Sequence, residues 1–174
     1  MVILVNERDE HTGEAGKMEA HEHGLLHRAF SIFIFNQAGE LLLQRRALGK
    51  YHSAGLWTNT CCSHPLPGEE TMLAATRRLQ EEMGFAVPIV KVFDFVYKAA
   101  FDNGLTEHEF DHVFVGEYDG SIPFNGEEVM EIAYRSMNEV EAELSKEPQK
   151  FTRWFQLCFP RIRAWWELEY KKIA

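Results

Sequence analysis

The chain has 174 residues, with 27 acidic side chains against 18 basic ones and a formal net charge of -9. Its 45% hydrophobic and 26% charged fractions exclude a disordered, collagen-like or low-complexity protein. A chain this long buries roughly 70% of its unfolded surface, so it needs no disulfide or metal merely to fold. The acidic balance argues against a nucleic-acid partner, which needs a basic footprint, and an anionic substrate would need a local basic cluster or a bound cation.

No run reaches the ~20 apolar residues of a membrane span. Val2 to Asn6 predicts a short strand, and its apolar run is too short for a signal peptide and lacks preceding basic residues. Ala29 to Phe35 predicts a strand, with Leu41 to Arg45 as its hairpin partner across Asn36-Gln37-Ala38-Gly39. Leu56 to Cys62 is extended in character, and Pro65 and Pro67-Gly68 then punctuate the chain. From Glu69 to Met83 the residues Met72, Ala75, Thr76, Leu79 and Met83 recur at helical spacing, with Gly84 as the stop. Pro88 to Tyr97 and Glu107 to Tyr118 predict strands joined through Asp102-Asn103-Gly104, and Ile132 to Arg135 one more. The tail from Met137 is helical, and Pro160 is expected to kink or divide it. The aromatic residues of that tail suit either a core or an interface, so monomer and homodimer both stay open. No linker, repeat or charge block divides the chain, so one domain over residues 1–174 is expected, a mixed α/β sandwich. Cys61, Cys62 and Cys158 are an odd, sparse set, which points to a reducing cytoplasm.

The segment from Ser63 to Phe85 reads SHPLPGEETMLAATRRLQEEMGF. On a helix Arg77 and Glu81 lie one turn apart, as do Arg78 and Glu82, and carboxylates so presented suit a hard cation such as Mg²⁺ bridging to phosphate oxygens. This segment resembles the Nudix box, a loop–helix–loop that presents carboxylates to a cation on a diphosphate. Two positions depart from the pattern: Ser63 stands at the first Gly, and Arg77-Arg78 stands where the family has Arg-Glu. Hydrolytic members use that Glu in their metal cluster, so Arg78 favours holding a diphosphate intact over cleaving it.

Five further segments occur in order: Leu26-His27-Arg28-Ala29-Phe30, Gln44-Arg45-Arg46-Ala47, Trp57-Thr58-Asn59, Cys62-Ser63-His64-Pro65 and Glu107-His108-Glu109. Residues i and i+2 of a strand share a face, which pairs Glu107 with Glu109 and Cys62 with His64. Histidines and carboxylates together make a nitrogen–oxygen site for Mg²⁺, Mn²⁺ or Zn²⁺. The ordered set, from about Lys17 to Trp154, resembles the type I isopentenyl-diphosphate isomerases of the Nudix superfamily.

That resemblance implies a single Nudix-type isomerase domain, an α/β/α sandwich with a mixed sheet, the loop–helix–loop and C-terminal helices. It implies metal ligands His21, His27, His64, Glu107 and Glu109, with His23 as the rival to His21, and a second Mg²⁺ that Glu82 holds with the substrate diphosphate. Cys62 and Glu109 are the implied acid/base pair on opposite sides of a hydrocarbon, with Tyr97 beside Glu109. Lys17, Arg46, Lys50 and Arg78 are the implied diphosphate grip, and Trp154 the aromatic cover of a carbocation. Trp57 is read as a wall residue, Cys61 as packing, and Arg45 and Arg77 as surface ion pairs. His11 and His52 are read as ordinary surface or core histidines, His108 and His112 as pointing away, and Asp111 as a candidate support for Glu109. The expected partner is a small diphosphate, without nucleic acid or membrane. Two rivals remain: a Nudix pyrophosphohydrolase of a nucleotide or related diphosphate, which leaves Cys62 and the His/Glu set unexplained, and a metal-stabilised binding module, which has no use for Cys62 and Glu109 together.

Overall fold

The computed structural model describes residues 1–50, 52–101 and 103–170. Among these, nine strands make one mixed sheet: β1 (Val2–Val5), β2 (His11–Ala15), β3 (His27–Phe35), β4 (Leu41–Arg46), β5 (Trp57–Thr58), β6 (Cys61–Ser63), β7 (Ile89–Ala100), β8 (Thr106–Glu117) and β9 (Val129–Arg135). Four helices accompany them: α1 (Lys17–His23), α2 (Thr71–Met83), α3 (Met137–Lys146) and α4 (Arg153–Leu168).

Strand β3 is the hub. It runs parallel to β8 from His27↔Glu109 to Phe35↔Glu117, and β8 pairs in turn with β7. Along its other edge β3 meets β1, β6 and β4 in succession. The expected β3–β4 hairpin survives only as its turn, with the single pair Phe35↔Leu41. Beyond it Thr60 wedges the strands apart: its Oγ accepts from the Ile34 N–H at 3.0 Å and donates to the Leu42 carbonyl at 2.6 Å. Strand β4 pairs instead with β9.

The alternation of β3 builds both layers. Phe33 and Phe35 face a core closed by Met137, Val140, Phe155, Cys158 and Ile162 of α3 and α4. Phe30, Ile32 and Ile34 face Ala74, Ala75, Leu79 and Met83 of α2. The result is an α/β/α sandwich. The buried face of α2 is rotated from the predicted stripe, because Thr71, Ala74 and Ala75 point inward while Met72 is exposed. Helix α4 is continuous through Pro160, whose ring lies on the exposed side. The break in the C-terminal tail falls earlier, at a 3-10 turn over Pro148–Lys150. Hairpin strand β2 and helix α1 carry no sequence pattern that predicted them. In the predicted Asp102-Asn103-Gly104 turn, Asp102 lies outside the described residues.

Candidate active site

The sheet brings the predicted residues together by register. Tyr97 stands directly opposite Glu109 across β7–β8, and His27 opposite Glu109 across β3–β8. Cys62 pairs with Ser31, whereas Cys61 pairs with Ile32. The two thiols therefore face opposite layers: Cys61 is sealed under α2, and Cys62 opens into a cavity of about 50 Å³ that Glu109, Tyr97, Lys17, Arg46 and Trp154 also line. Cys62 and Glu109 reach this cavity from strands on either side of β3. Helix α1 adds Lys17 and His21, one turn apart on one face.

One oxygen and three imidazoles converge at the cavity wall. His64 Nε2 lies 2.9 Å from Glu109 Oε1 and 3.2 Å from His27 Nε2, and donor atoms of His21, His27, His64 and Glu109 all lie within 4.8 Å of one another. Backbone carbonyls set two tautomers. His21 Nδ1 donates to the Lys17 carbonyl at 2.7 Å and His27 Nδ1 to that of Leu25 at 2.8 Å, which turns their Nε2 lone pairs inward. Lone pairs aimed at one another and at a carboxylate oxygen repel unless a cation takes the centre. The residues thus fit a divalent cation. His23 is exposed and outside this group.

Electrostatics separate the two carboxylates. Burial works to raise Glu109, but its contacts with His27 and His64 outweigh it and hold the carboxyl well below the usual range. Burial and the neighbouring Glu109 charge push Glu107 well above that range. Tyr97 donates to Glu109 Oε2 at 2.5 Å and stands 3.3 Å from Glu107 Oε2. Glu107 forms a second group with His21 and His52. Burial, chiefly, brings His64 down to about 4 and His52 to about 3, so both rings are neutral. Burial also pushes the Cys62 thiol up, which keeps it protonated.

Of the four cations expected to grip a diphosphate, Lys17 and Arg46 line the cavity, while Lys50 and Arg78 meet Glu128. Glu128 pairs with Lys50, and its other oxygen lies 3.2 Å from Arg78 Nη2, which also donates to Glu82 Oε1 at 2.5 Å. Gln44 holds the second Glu82 oxygen at 3.1 Å. Arg46 instead lies over the Trp154 ring, 5.1 Å from its centre. Arg45 pairs with Glu131, and Arg77 with Glu69 and Glu81.

Three expectations change. Trp57 lines a separate groove with Arg45 and Arg135. Asp111 shares the face of Glu109, but its Oδ2 accepts from Ser31 Oγ at 2.8 Å while Oδ1 is buried without a hydrogen-bond partner. His52 is no ordinary residue: it is buried in the cavity wall. Neither His52 nor Glu128 carried a local signal, because each lies in an aperiodic connection. His108 and His112 do point away, to the Gly24 carbonyl and to Asp9.

Residues 25–155 match the NUDIX domain family. The sandwich and its carboxylate-bearing helix thus define a Nudix-domain protein. The chain is 51% identical over 161 residues to isopentenyl-diphosphate Delta-isomerase 2 of Aromatoleum aromaticum, covering 92% of this chain and 85% of that one. It is 50% identical over 166 residues to the isopentenyl-diphosphate Delta-isomerase of Pectobacterium atrosepticum, covering 95% and 93%. The chain belongs to the isopentenyl-diphosphate Delta-isomerase family. In fold it is similar to a crystal structure of a Deinococcus radiodurans protein, with TM-score 0.77 and 18% identity over 92% of this chain and 97% of the other. The MutT protein of Methanosarcina mazei follows at TM-score 0.66 and 20% identity, over 80% and 94%. No helix among the described residues is long and apolar enough to cross a membrane.

Proposed function

We propose that the chain converts isopentenyl diphosphate into dimethylallyl diphosphate, with Cys62 and Glu109 as the proton donor and acceptor. The observation that carries this reading is the meeting of these two groups in one cavity from either side of β3. An isolated alkene is a very weak base. One group adds a proton to the terminal carbon, giving a tertiary carbocation, and the other takes a proton from the neighbouring carbon. The composition is unchanged, no bond to phosphorus breaks, and the roles exchange in the reverse direction. Tyr97, bonded to Glu109, orients that carboxyl and relays its proton. The Trp154 face covers the cation, an interaction worth ~2 kcal/mol when desolvated.

His21, His27, His64, Glu109 and Glu107 would hold a divalent cation of the Mg²⁺, Mn²⁺ or Zn²⁺ kind. Bound there, it sets the proton affinity of Glu109 by its charge. Lys17, Arg46, Lys50 and Arg78 take the diphosphate, with Glu82 offering oxygen to an accompanying Mg²⁺. Lys50 and Arg78 already meet Glu128, and these contacts exchange for phosphate on entry. Lys17 and His21 precede the matched segment yet belong to the site, which favours one domain over the whole chain. Three unpaired thiols favour the cytoplasm.

Proton NMR of isopentenyl diphosphate with the protein and Mg²⁺ in deuterated buffer tests the reaction. Dimethylallyl signals with deuterium on carbon and no released phosphate are expected. An unchanged substrate, with hydrolysis of nucleotide diphosphates in its place, refutes the isomerase.

A further inference from the structure

His52 lines the cavity but has no part in the proposed diphosphate grip or the proposed metal ligands. Its ring stacks on Phe101, with centres 5.0 Å apart and planes at 20°, and meets Trp154 edge-on at 5.9 Å. Its Nε2 stands 3.6 Å from Glu107 Oε1. On the other side, Nδ1 lies 3.2 Å from Ser53 Oγ. The backbone is spent on this placement: Ser53 adopts a left-handed φ of 52°, a cost for a non-glycine residue that persists only where the surroundings over-determine it. Arg46 Nη2 donates to the His52 carbonyl at 3.3 Å, and the Arg46 carbonyl accepts from the Gly55 N–H at 3.0 Å, so both ends of the turn are fixed.

The geometry points to His52 as a positioning residue that holds the Glu107 carboxylate in line with the His21–His27–His64–Glu109 group. This rests on Glu107 serving the divalent cation, as proposed above. Ser53 Oγ–H donates to Nδ1, leaving the proton on Nε2, aimed at Glu107 Oε1. Tyr97 stands at the other oxygen. With Tyr97 3.3 Å from one oxygen and His52 Nε2 3.6 Å from the other, the carboxyl group is held in one orientation. Phe101 and Trp154 clamp the imidazole, so its donor does not wander. Partners that orient a metal-binding group in this way are worth 10–100-fold in metal affinity or activity.

The test is Mn²⁺ titration of the full-length chain after chelator treatment, followed by the electron paramagnetic resonance of the free ion. His52→Phe keeps the apolar wall and removes the donor, and it is expected to weaken Mn²⁺ binding about tenfold or more. His52→Gln, whose amide reaches toward Glu107, is expected to restore most of that loss. In a Glu107→Gln background, His52→Phe should cost nothing further, which a merely structural role would not produce. Circular dichroism checks that each variant is folded. Wild-type Mn²⁺ binding by His52→Phe, or losses that multiply in the double variant, overturns the inference while leaving Glu107 as a ligand. Unchanged binding by Glu107→Gln removes the assignment beneath it and overturns both.

Discussion

The two charged regions of the site are built on opposite principles. Around Glu109, buried imidazoles and carboxylates crowd within a few ångströms with more acceptors than protons. Around Glu128, half-buried cations and carboxylates are already matched, Lys50 and Arg78 to Glu128 and Arg78 to Glu82. A crowded, dry cluster is costly without a cation. A matched, wetter cluster is stable as it stands and exchanges one partner for another when an anion arrives. On the proposed reading the first holds a divalent ion and moves protons, and the second grips the diphosphate.

The largest effects should come from the crowded region. Cys62→Ser and Glu109→Gln are expected to lower kcat by about 10²–10⁴-fold, measured by the NMR conversion, with folding retained by circular dichroism. Isomerisation at the wild-type rate in either variant breaks the two-sided proton transfer. His64→Gln should lower metal affinity by about tenfold or more, and an unchanged metal content by elemental analysis removes His64 from the ligands.

The matched region should answer through KM. Arg78→Gln removes a charged contact to phosphate, worth about 1.5–3 kcal/mol, and should raise KM by about tenfold or more with kcat nearly unchanged. Glu128→Gln releases both cations from their internal partner and should lower KM. If both substitutions raise KM, Glu128 is part of the grip and the exchange of partners is wrong.

The pH dependence is read in stability and not in turnover. His64 is held down to about 4, chiefly by burial, from an ordinary 6.5. Between those values the unfolded chain binds the extra proton, so this group withdraws stability as pH falls, by up to about 1.4 kcal/mol per pH unit. Urea midpoints of chelator-treated protein should drop from pH 6.5 toward 4, and His64→Gln should flatten the slope. An equal slope in the variant means that His64 is not buried neutral.

Much of this was legible in the chain, because register and periodicity are local. The i, i+2 rule placed Glu107 and Glu109 on one face and separated Cys61 from Cys62, and the sheet bears out both. Helical spacing joined Arg77 to Glu81 and Arg78 to Glu82. Ordered motifs carried the family. Other features depend on long-range packing. The Thr60 wedge diverts β4 to β9 through bonds to two consecutive strands that lie 26 and 18 residues back along the chain. Helix α4 runs on through Pro160, whose ring lies on the exposed side. His52 and Glu128 lie in connections without periodicity, so no pattern along the chain marks them. Their partners, Glu107 and Arg78, are far off in sequence, and only the folded sheet brings those charges within reach.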